Sequence, residues 1–321
     1  MIHCVLLNPT VDRILRIAGF KLASTYKVNK IHEFPVGKAI SVALTLKELQ
    51  QDVNVIALIG QKEITSYERF LRRKKIAHTL IPIDGDTRSN ITILDDKKKM
   101  TTHLRLPGFR VNQFHLKKIE NILVNKVKEN DFVVFSGSFP DGVPADYHFR
   151  VHELLKNKNI KFIVDTSGRP LELLLNVNPF IIKANLEEMS VILNKELTEA
   201  QELENRPTDE DLQQLLEMCS NLNNIAARFN VLTLGDYGAL LFTDQERYYG
   251  FLDIEDATYT VGCGDSFLGG LIAGLNQNKS LPDILRLAVA CGGANTQELG
   301  AGLLKKSDVD KYLELVELKK L

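Results

Sequence analysis

Short runs of consecutive aliphatic and β-branched residues alternate along the chain with stretches whose apolar positions recur every three or four residues. The runs at residues 4–8, 53–60, 131–136, 161–165, 180–185 and 230–235 are apolar without a polar face, the pattern of strands buried on both sides. Residues 111–129, 144–156 and 208–227 carry helical spacing between them. Thr208 with Asp211 three residues on reads as an N-terminal capping pair. Strand and helix in repeated alternation predict an α/β fold, with a mostly parallel sheet and helices on both faces. Ligands of such sheets sit beyond the carboxyl ends of the strands, so the residues that follow each strand are the ones to inspect.

Two segments break this rhythm. Residues 11–34 and 88–106 each read as a pair of short alternating strands. In the second, NITIL at 90–94 and MTTHL at 100–104 flank the charged tip DDKKK, which reads as a hairpin with a solvated turn. Four short antiparallel strands cannot join a parallel core. They predict a small flap over one edge of the site. No Gly/Ser-rich linker divides the chain, and residues 194–209 read as a surface connection. Residues 1–321 are therefore expected to be one domain carrying the flap as two insertions.

Composition narrows the classes. The 321 residues are 44% apolar and 25% charged, with a net charge of −1. That balance argues against a protein that coats nucleic acid or an anionic membrane, and leaves room for a small anion in a local pocket. No basic segment followed by a long apolar run opens the chain, and no run of about 18 apolar residues occurs, so neither a targeting segment nor a membrane span is expected. Cys4, Cys219, Cys263 and Cys291 are far apart with no C-x-x-C, which fits a reducing cytoplasm and disfavours a disulfide framework or a zinc site.

The stretch with most chemistry is TVGCGDSFLGG at 260–270. Helical spacing follows at Phe267, Leu268, Leu271, Ile272 and Leu275, so Gly262 and Gly264 stand at a helix start. Helix starts carry unpaired N–H groups and partial positive charge, and glycine lets an anion approach them. Asp265 would stand in the first turn as either a capping acid or a base. A dinucleotide fingerprint would need glycine at 267, which is Phe, and a phosphate loop fails because Ala39 follows Gly37 and Lys38. Cys263 reads as a small residue between glycines, since no histidine stands in a nucleophile motif. His148 and His152 are four apart on a helix and read as its solvated face, not a metal pair. Asn185 and Glu188, three apart where a strand runs into a helix, could cap that helix or hold the water shell of Mg²⁺. Arg88 opens the second flap segment, and a guanidinium there can fork onto a phosphate.

Taken in order, these motifs resemble the PfkB/ribokinase family of carbohydrate kinases, most closely its bacterial 1-phosphofructokinase and tagatose-6-phosphate kinase branch. LNPTVD at 7–12 is similar to that branch's L-N-P-x-x-D, TRSN at 87–90 to T-R-x-N, and SGSFPDG at 136–142 to S-G-S-x-P-x-G. DTSG at 165–168 also matches, as does KANLEE at 183–188 against K-P-N-x-x-E. TVGCGD at 260–265 resembles T-x-G-A-G-D with Cys for Ala.

The resemblance implies a ribokinase-like three-layer fold with a small β-lid, which in relatives often pairs two subunits into a homodimer. It implies phosphoryl transfer from ATP, with Mg²⁺ and a monovalent cation such as K⁺, to a sugar phosphate. Asp265 would be the base, and the N–H groups of Gly262, Cys263 and Gly264 the anion hole. Asp12, Gly37, Lys38, Ser41, Arg88, Asn90 and Ser138 would bind substrate, with Arg88 and Lys38 on its existing phosphate. Lys183, Asn185, Thr233, Gly235, Gly238, Gly264 and Asn295 would face the nucleotide, and Asn185 and Glu188 would organise Mg²⁺ through water. The implied reaction is fructose 1-phosphate to fructose 1,6-bisphosphate. Tagatose 6-phosphate or fructose 6-phosphate is an alternative, and so is a nucleotide- or sugar-phosphate-binding sensor with little catalysis. One departure motivates the last: VGKAIS at 36–41 stands where the branch has G-G-K-G-x-N. A second is THLR at 102–105, where His103 and Arg105 replace an acid and an amide.

Overall fold

The computed structural model describes residues 1–173, 179–194, 203, 205–219 and 227–321. In chain order its strands are β1 (Ile2–Leu6), β2 (Thr10–Arg16), β3 (Ile31–Val36), β4 (Val53–Gly60), β5 (Ala77–Ile83), β6 (Arg88–Asp95), β7 (Met100–Arg105), β8 (Phe132–Ser136), β9 (Lys161–Asp165), β10 (Ile181–Asn185), β11 (Phe229–Thr233), β12 (Ala239–Phe242), β13 (Arg247–Phe251) and β14 (Glu317–Lys320). The helices are α1 (Lys38–Glu48), α2 (Ile64–Arg73), α3 (Gln113–Lys126), α4 (Tyr147–Leu155), α5 (Arg169–Glu172), α6 (Leu186–Leu193), α7 (Asp209–Cys219), α8 (Cys263–Asn276), α9 (Leu281–Asn295) and α10 (Lys306–Leu315).

The doubly apolar strands explain the layering. In β1, Ile2, Cys4 and Leu6 enter one core while Val5 enters the other. In β4, Val53, Val55, Ala57 and Ile59 point one way, and Ile56 and Leu58 the opposite way. A strand with two apolar faces must be covered on both. Apolar residues of α1, α2, α8, α9 and α10 cover the first face, and those of α3, α4, α6 and α7 the second. The result is a three-layer α/β fold. Its sheet has the order β14-β13-β12-β11-β10-β9-β8-β1-β4-β5, parallel from β5 to β11 and antiparallel through β12, β13 and β14.

The expected runs at 53–60 and 161–165 form strands with those bounds, and the first strand lies two residues earlier than its pattern suggested. The pattern missed β5 and the antiparallel edge; β14, reading ELKK, has no apolar run to betray it. The capping pair forms, with the Thr208 N–H donating to Asp211 Oδ2 (2.7 Å) and the Asp211 N–H to Thr208 Oγ1 (3.3 Å). The end of the expected helix at 208–227 lies outside the described residues, as does most of the 194–209 connection. His148 corrects an expectation. It is fully buried against Phe139, not solvated, because α4 turns that face toward the loop after β8.

The flap is a separate four-stranded sheet, β3-β2-β6-β7. It is not wholly antiparallel as expected, because its middle pair, β2 with β6, is parallel. Both strands leave the carboxyl edge of the main sheet, after β1 and β5 respectively, and both return by a hairpin. Two hairpins launched from one edge must place their outgoing strands side by side. Lys97, Lys98 and Lys99 are exposed at the tip as expected, but Asp95 is buried beside them. Its carboxylate accepts the N–H groups of Gly19 and Phe20 from the other hairpin (2.7 and 2.8 Å) and of Lys97 and Lys98 from its own (3.1 and 3.2 Å). These bonds hold Asp95 below the usual aspartate range against its desolvation. A depressed carboxyl stabilises above its unfolded pKa and loses that contribution as pH falls. Asp95→Ala is therefore expected to speed amide exchange at Gly19, Phe20, Lys97 and Lys98, while the main sheet keeps its protection.

Candidate active site

The carboxyl ends of β1, β8, β9, β10 and β11 meet the start of α8 at one edge of the sheet. Gly262 is the N-cap of α8, with φ of 89° and no side-chain cap. The first backbone bond runs from Ser266 N–H to Gly262 O (2.9 Å), so the N–H groups of Gly264 and Asp265 lie in the unsatisfied first turn. The Cys263 N–H is directed at Thr260 O (3.4 Å), which makes it a weaker contributor to the expected anion hole. A Cβ at position 262 would lie 2.5 Å from that of Ala301, and its φ is left-handed, so only glycine fits. A Cβ at Gly264 would meet only the end of Lys183, 3.7 Å from its ammonium. The opening over this helix start is thus bordered by a cation.

Asp265 is 7% exposed. No N–H among the described residues donates to its carboxylate, so it is not spent as a cap. Burial pushes its carboxyl up to about 7, with Lys38 and Lys183 pulling down and Asp165 and Asp12 pushing further up. A carboxyl that titrates near neutrality beside an anion-accepting helix start is suited to take a proton from a hydroxyl. The neighbouring Cys263 thiol is pushed up to about 11, mainly by burial, which leaves it protonated and unsuited to nucleophilic attack.

The flap register builds the opposite wall. Parallel pairing sets Asp12 beside Asn90 and Thr10 beside Arg88. Asp12 accepts from Thr10 Oγ1 and Asn90 Nδ2, both at 3.1 Å. Burial pushes its carboxyl up to about 6, and those two bonds with the Arg88 charge hold it back. Among the described residues nothing donates to the buried Asn90 Oδ1, an unsatisfied acceptor beside Asp12. Arg88 donates to Pro9 O and Asn8 O (3.3 and 3.4 Å), and Asn8 Nδ2 donates to Ser138 Oγ (3.0 Å). His103 pairs with Thr92 Oγ1 (3.2 Å), and exposed Arg105 stands opposite Asn90.

Lys38 leads α1 directly after Gly37, the N-cap of that helix. Two expectations do not hold. Ser41 is 1% exposed, and its hydroxyl donates back to Gly37 O (3.3 Å) with Gly302 packed across it. It does not reach the cleft. Asn295 is wholly buried: Oδ1 accepts from Ser266 Oγ (3.0 Å) and Gly302 N–H (2.8 Å), and Nδ2 donates to Val261 O (3.0 Å). Its amide braces the glycine turn from behind instead of lining a nucleotide pocket.

On the β10 and β11 side, Thr233 Oγ1 is turned to Ala184 O (3.4 Å). Gly235 is exposed with open space around it, whereas a Cβ at Gly238 would lie 2.1 Å from Gly250 O. Gly235 thus suits ligand approach, and Gly238 is required by packing against β13. Asn185 and Glu188 form the capping box at α6, with bonds of 2.7 and 3.1 Å, and the Glu188 charge acts on Lys38. Among the described residues no three His, Cys, Asp or Glu gather as a metal cage. The donor set fits Mg²⁺ only as an ion that keeps several waters and takes few protein ligands.

One central residue was not singled out from sequence. Asp165, 1% exposed at the end of β9, accepts from Lys38 Nζ (3.2 Å), Lys183 Nζ (3.3 Å) and Ser136 Oγ (2.9 Å). An acid ending a buried strand, with one lysine inside the next strand and another opening α1, was the available signal.

The profile described as pfkB family carbohydrate kinase matches residues 5–307. The chain belongs to that family and is a carbohydrate kinase. It is 28% identical over 322 residues to a tagatose-6-phosphate kinase of Staphylococcus epidermidis, covering 99% of each chain. It is 26% identical over 302 residues to the 1-phosphofructokinase of Bacillus subtilis, covering 94% of each. Phosphofructokinase-2 of Escherichia coli, solved in complex with substrates and products, superposes with a TM-score of 0.87 at 24% identity, over 98% of this chain and 99% of that one.

Gly262→Ala should destabilise the fold by about 1–3 kcal/mol, the usual cost of a non-glycine residue in strained backbone. Denaturant unfolding reads that loss, and steady-state kinetics should show kcat falling more than KM rises.

Proposed function

We propose that the cleft transfers a phosphoryl group from ATP to a hydroxyl of a ketohexose phosphate, with fructose 1-phosphate as acceptor and fructose 1,6-bisphosphate as product. The observation that carries this is the buried Asp265 carboxyl, raised to about 7, at an uncapped helix start, with Lys38 acting on it and Arg88 acting on Asp12 of the flap. Two cations beyond the base suit a substrate that already bears a phosphate; a neutral sugar has no need of them. The relatives named as kinases of tagatose 6-phosphate and of fructose 1-phosphate support the same class.

In this reading Asp12, with Asn90, binds and orients sugar hydroxyls. Arg88, Lys38 and Ser138 receive the existing phosphate. Asp265 takes the proton of the attacking hydroxyl, and the first-turn N–H groups of α8 with Lys183 receive the transferring group. Gly235 and Thr233 border the nucleotide, and Asn185 with Glu188 would hold Mg²⁺ through water. Bound there, Mg²⁺ would neutralise charge on the phosphates. Phosphofructokinase-2 of E. coli has been solved with potassium and as an inhibited tetramer, which supports a monovalent cation and self-association.

Ser41 favours a second reading of the acceptor. Its hydroxyl is turned away from the cleft, so tagatose 6-phosphate or fructose 6-phosphate could be preferred, or turnover could be slow enough for a sensor. An ATP-consumption screen over fructose 1-phosphate, fructose 6-phosphate, tagatose 6-phosphate and unphosphorylated sugars separates these. Turnover confined to unphosphorylated sugars would sink the proposal.

Asp265→Asn should lower kcat by about 10²–10⁴-fold, the range for a lost general base, while ATP still binds by calorimetry. The base must be deprotonated, so kcat/KM should fall about tenfold per pH unit below the Asp265 pKa of about 7 and level off above it. Arg88→Ala should raise KM for the sugar phosphate by about 10- to 100-fold, as for a lost charged hydrogen bond, and leave KM for ATP little changed.

A further inference from the structure

We propose that Asp165 is a positioning residue that yokes Lys38 and Lys183 into fixed places around the reacting centre. The proposal rests on the phosphoryl-transfer reading above. Asp165 Oδ2 receives Lys38 Nζ (3.2 Å) and Ser136 Oγ (2.9 Å), and Oδ1 receives Lys183 Nζ (3.3 Å). The donors come from α1, β8 and β10, so one carboxylate joins three elements. The Thr166 hydroxyl and the Gly137 N–H tie the ends of β8 and β9 together beside it (3.1 and 2.9 Å).

The two lysines serve opposite sides of the cleft. Lys183 is buried, with its ammonium next to Gly264 at the helix start. The Lys38 side chain is 42% exposed and belongs to the wall that takes the acceptor. A lysine is a point charge on a flexible four-carbon stem, and a free one would swing onto whichever phosphate came nearest. Anchored to one carboxylate, each keeps its own side. The attraction of both lysines holds Asp165 well below the usual aspartate range despite complete burial, so the anchor stays charged.

The yoke also sets the field at Asp265. The groups facing that carboxyl are Lys38 from α1, Asp165 from β9, Lys183 from β10 and Asp12 from β2, with Cys263 beside it on α8. Without the Asp165 charge, the lysines act on Asp265 uncompensated.

The test uses the full chain and two variants, Asp165→Asn and Lys183→Met. Carboxyl ¹³C titration of Asp265 is read beside pH profiles of kcat/KM with ATP and sugar phosphate. In Asp165→Asn, Asp265 is expected to titrate about one unit lower, a typical effect of one nearby charge. The acid limb of kcat/KM should follow it, and kcat should fall roughly 10²-fold, as for groups misplaced by about 1 Å. Lys183→Met should move the titration the other way. An Asp265 titration unmoved in both variants overturns the proposal whatever the turnover, and so does an Asp165→Asn protein whose sole change is a higher Mg²⁺ requirement. If Asp165→Asn does not fold, the direction seen in Lys183→Met decides. Absence of turnover in the unmodified chain would count against the functional reading, while the carboxyl titration still decides the yoke.

Discussion

A carboxylic acid held out of water is the constraint around which the site is arranged. Desolvation alone would keep Asp265 protonated at neutral pH, and an unpaired buried charge is costly. The chain counters with two ammonium groups, then offsets those with a second buried acid, Asp165. The balance leaves Asp265 able to exist in either state near neutrality. The uncapped glycine turn at Gly262 belongs to the same arrangement, because a side-chain cap would occupy the N–H groups that the helix presents.

Much of this was legible in the sequence, for reasons that differ between elements. Strands buried on both faces declare themselves because most of their residues are apolar with no polar face, and they gave most of the parallel core. Capping pairs such as Thr208 with Asp211 are local, so spacing alone identified them. The parallel pairing of β2 with β6 was hidden because it depends on where two distant hairpins leave the core. Ser41 stands where the branch has asparagine and Asn295 ends a late helix, yet packing against Gly302 turned one onto its own helix and enclosed the other. Motif position fixes a backbone location and says little about which way a short side chain will turn. Asp165 lay within a matched stretch, but its importance comes from side chains supplied by three separate elements.

The two walls of the cleft differ in how they are built. The wall proposed for transfer is made of strand ends and a helix start at the main sheet, with Asp165, Lys183 and Asp265 buried within it. The acceptor wall comes from the flap, where Asp12, Arg88 and Asn90 hang from a four-stranded sheet with an exposed outer face. Departures from the family pattern include His103 and Arg105 on the flap, the VGKAIS segment, and Ala184 for Pro at the end of β10. Cys263 for Ala is the one change within the glycine turn, and it alters a side chain while leaving the neighbouring backbone N–H groups in place.

The shared register of β2 and β6 has a consequence for how such an enzyme can diverge. Asp12 and Arg88 stand two residues apart along one ladder, held at a spacing set by backbone geometry. On the proposed reading, a sugar phosphate would be measured along its length by the strand repeat. Side-chain replacement on the flap can change which sugar fits that gauge without touching Asp265 or its cations. Replacements at flap positions other than Asp12, whose charge acts on Asp265, would on that reading alter the acceptor side and leave the helix start of α8 as it is.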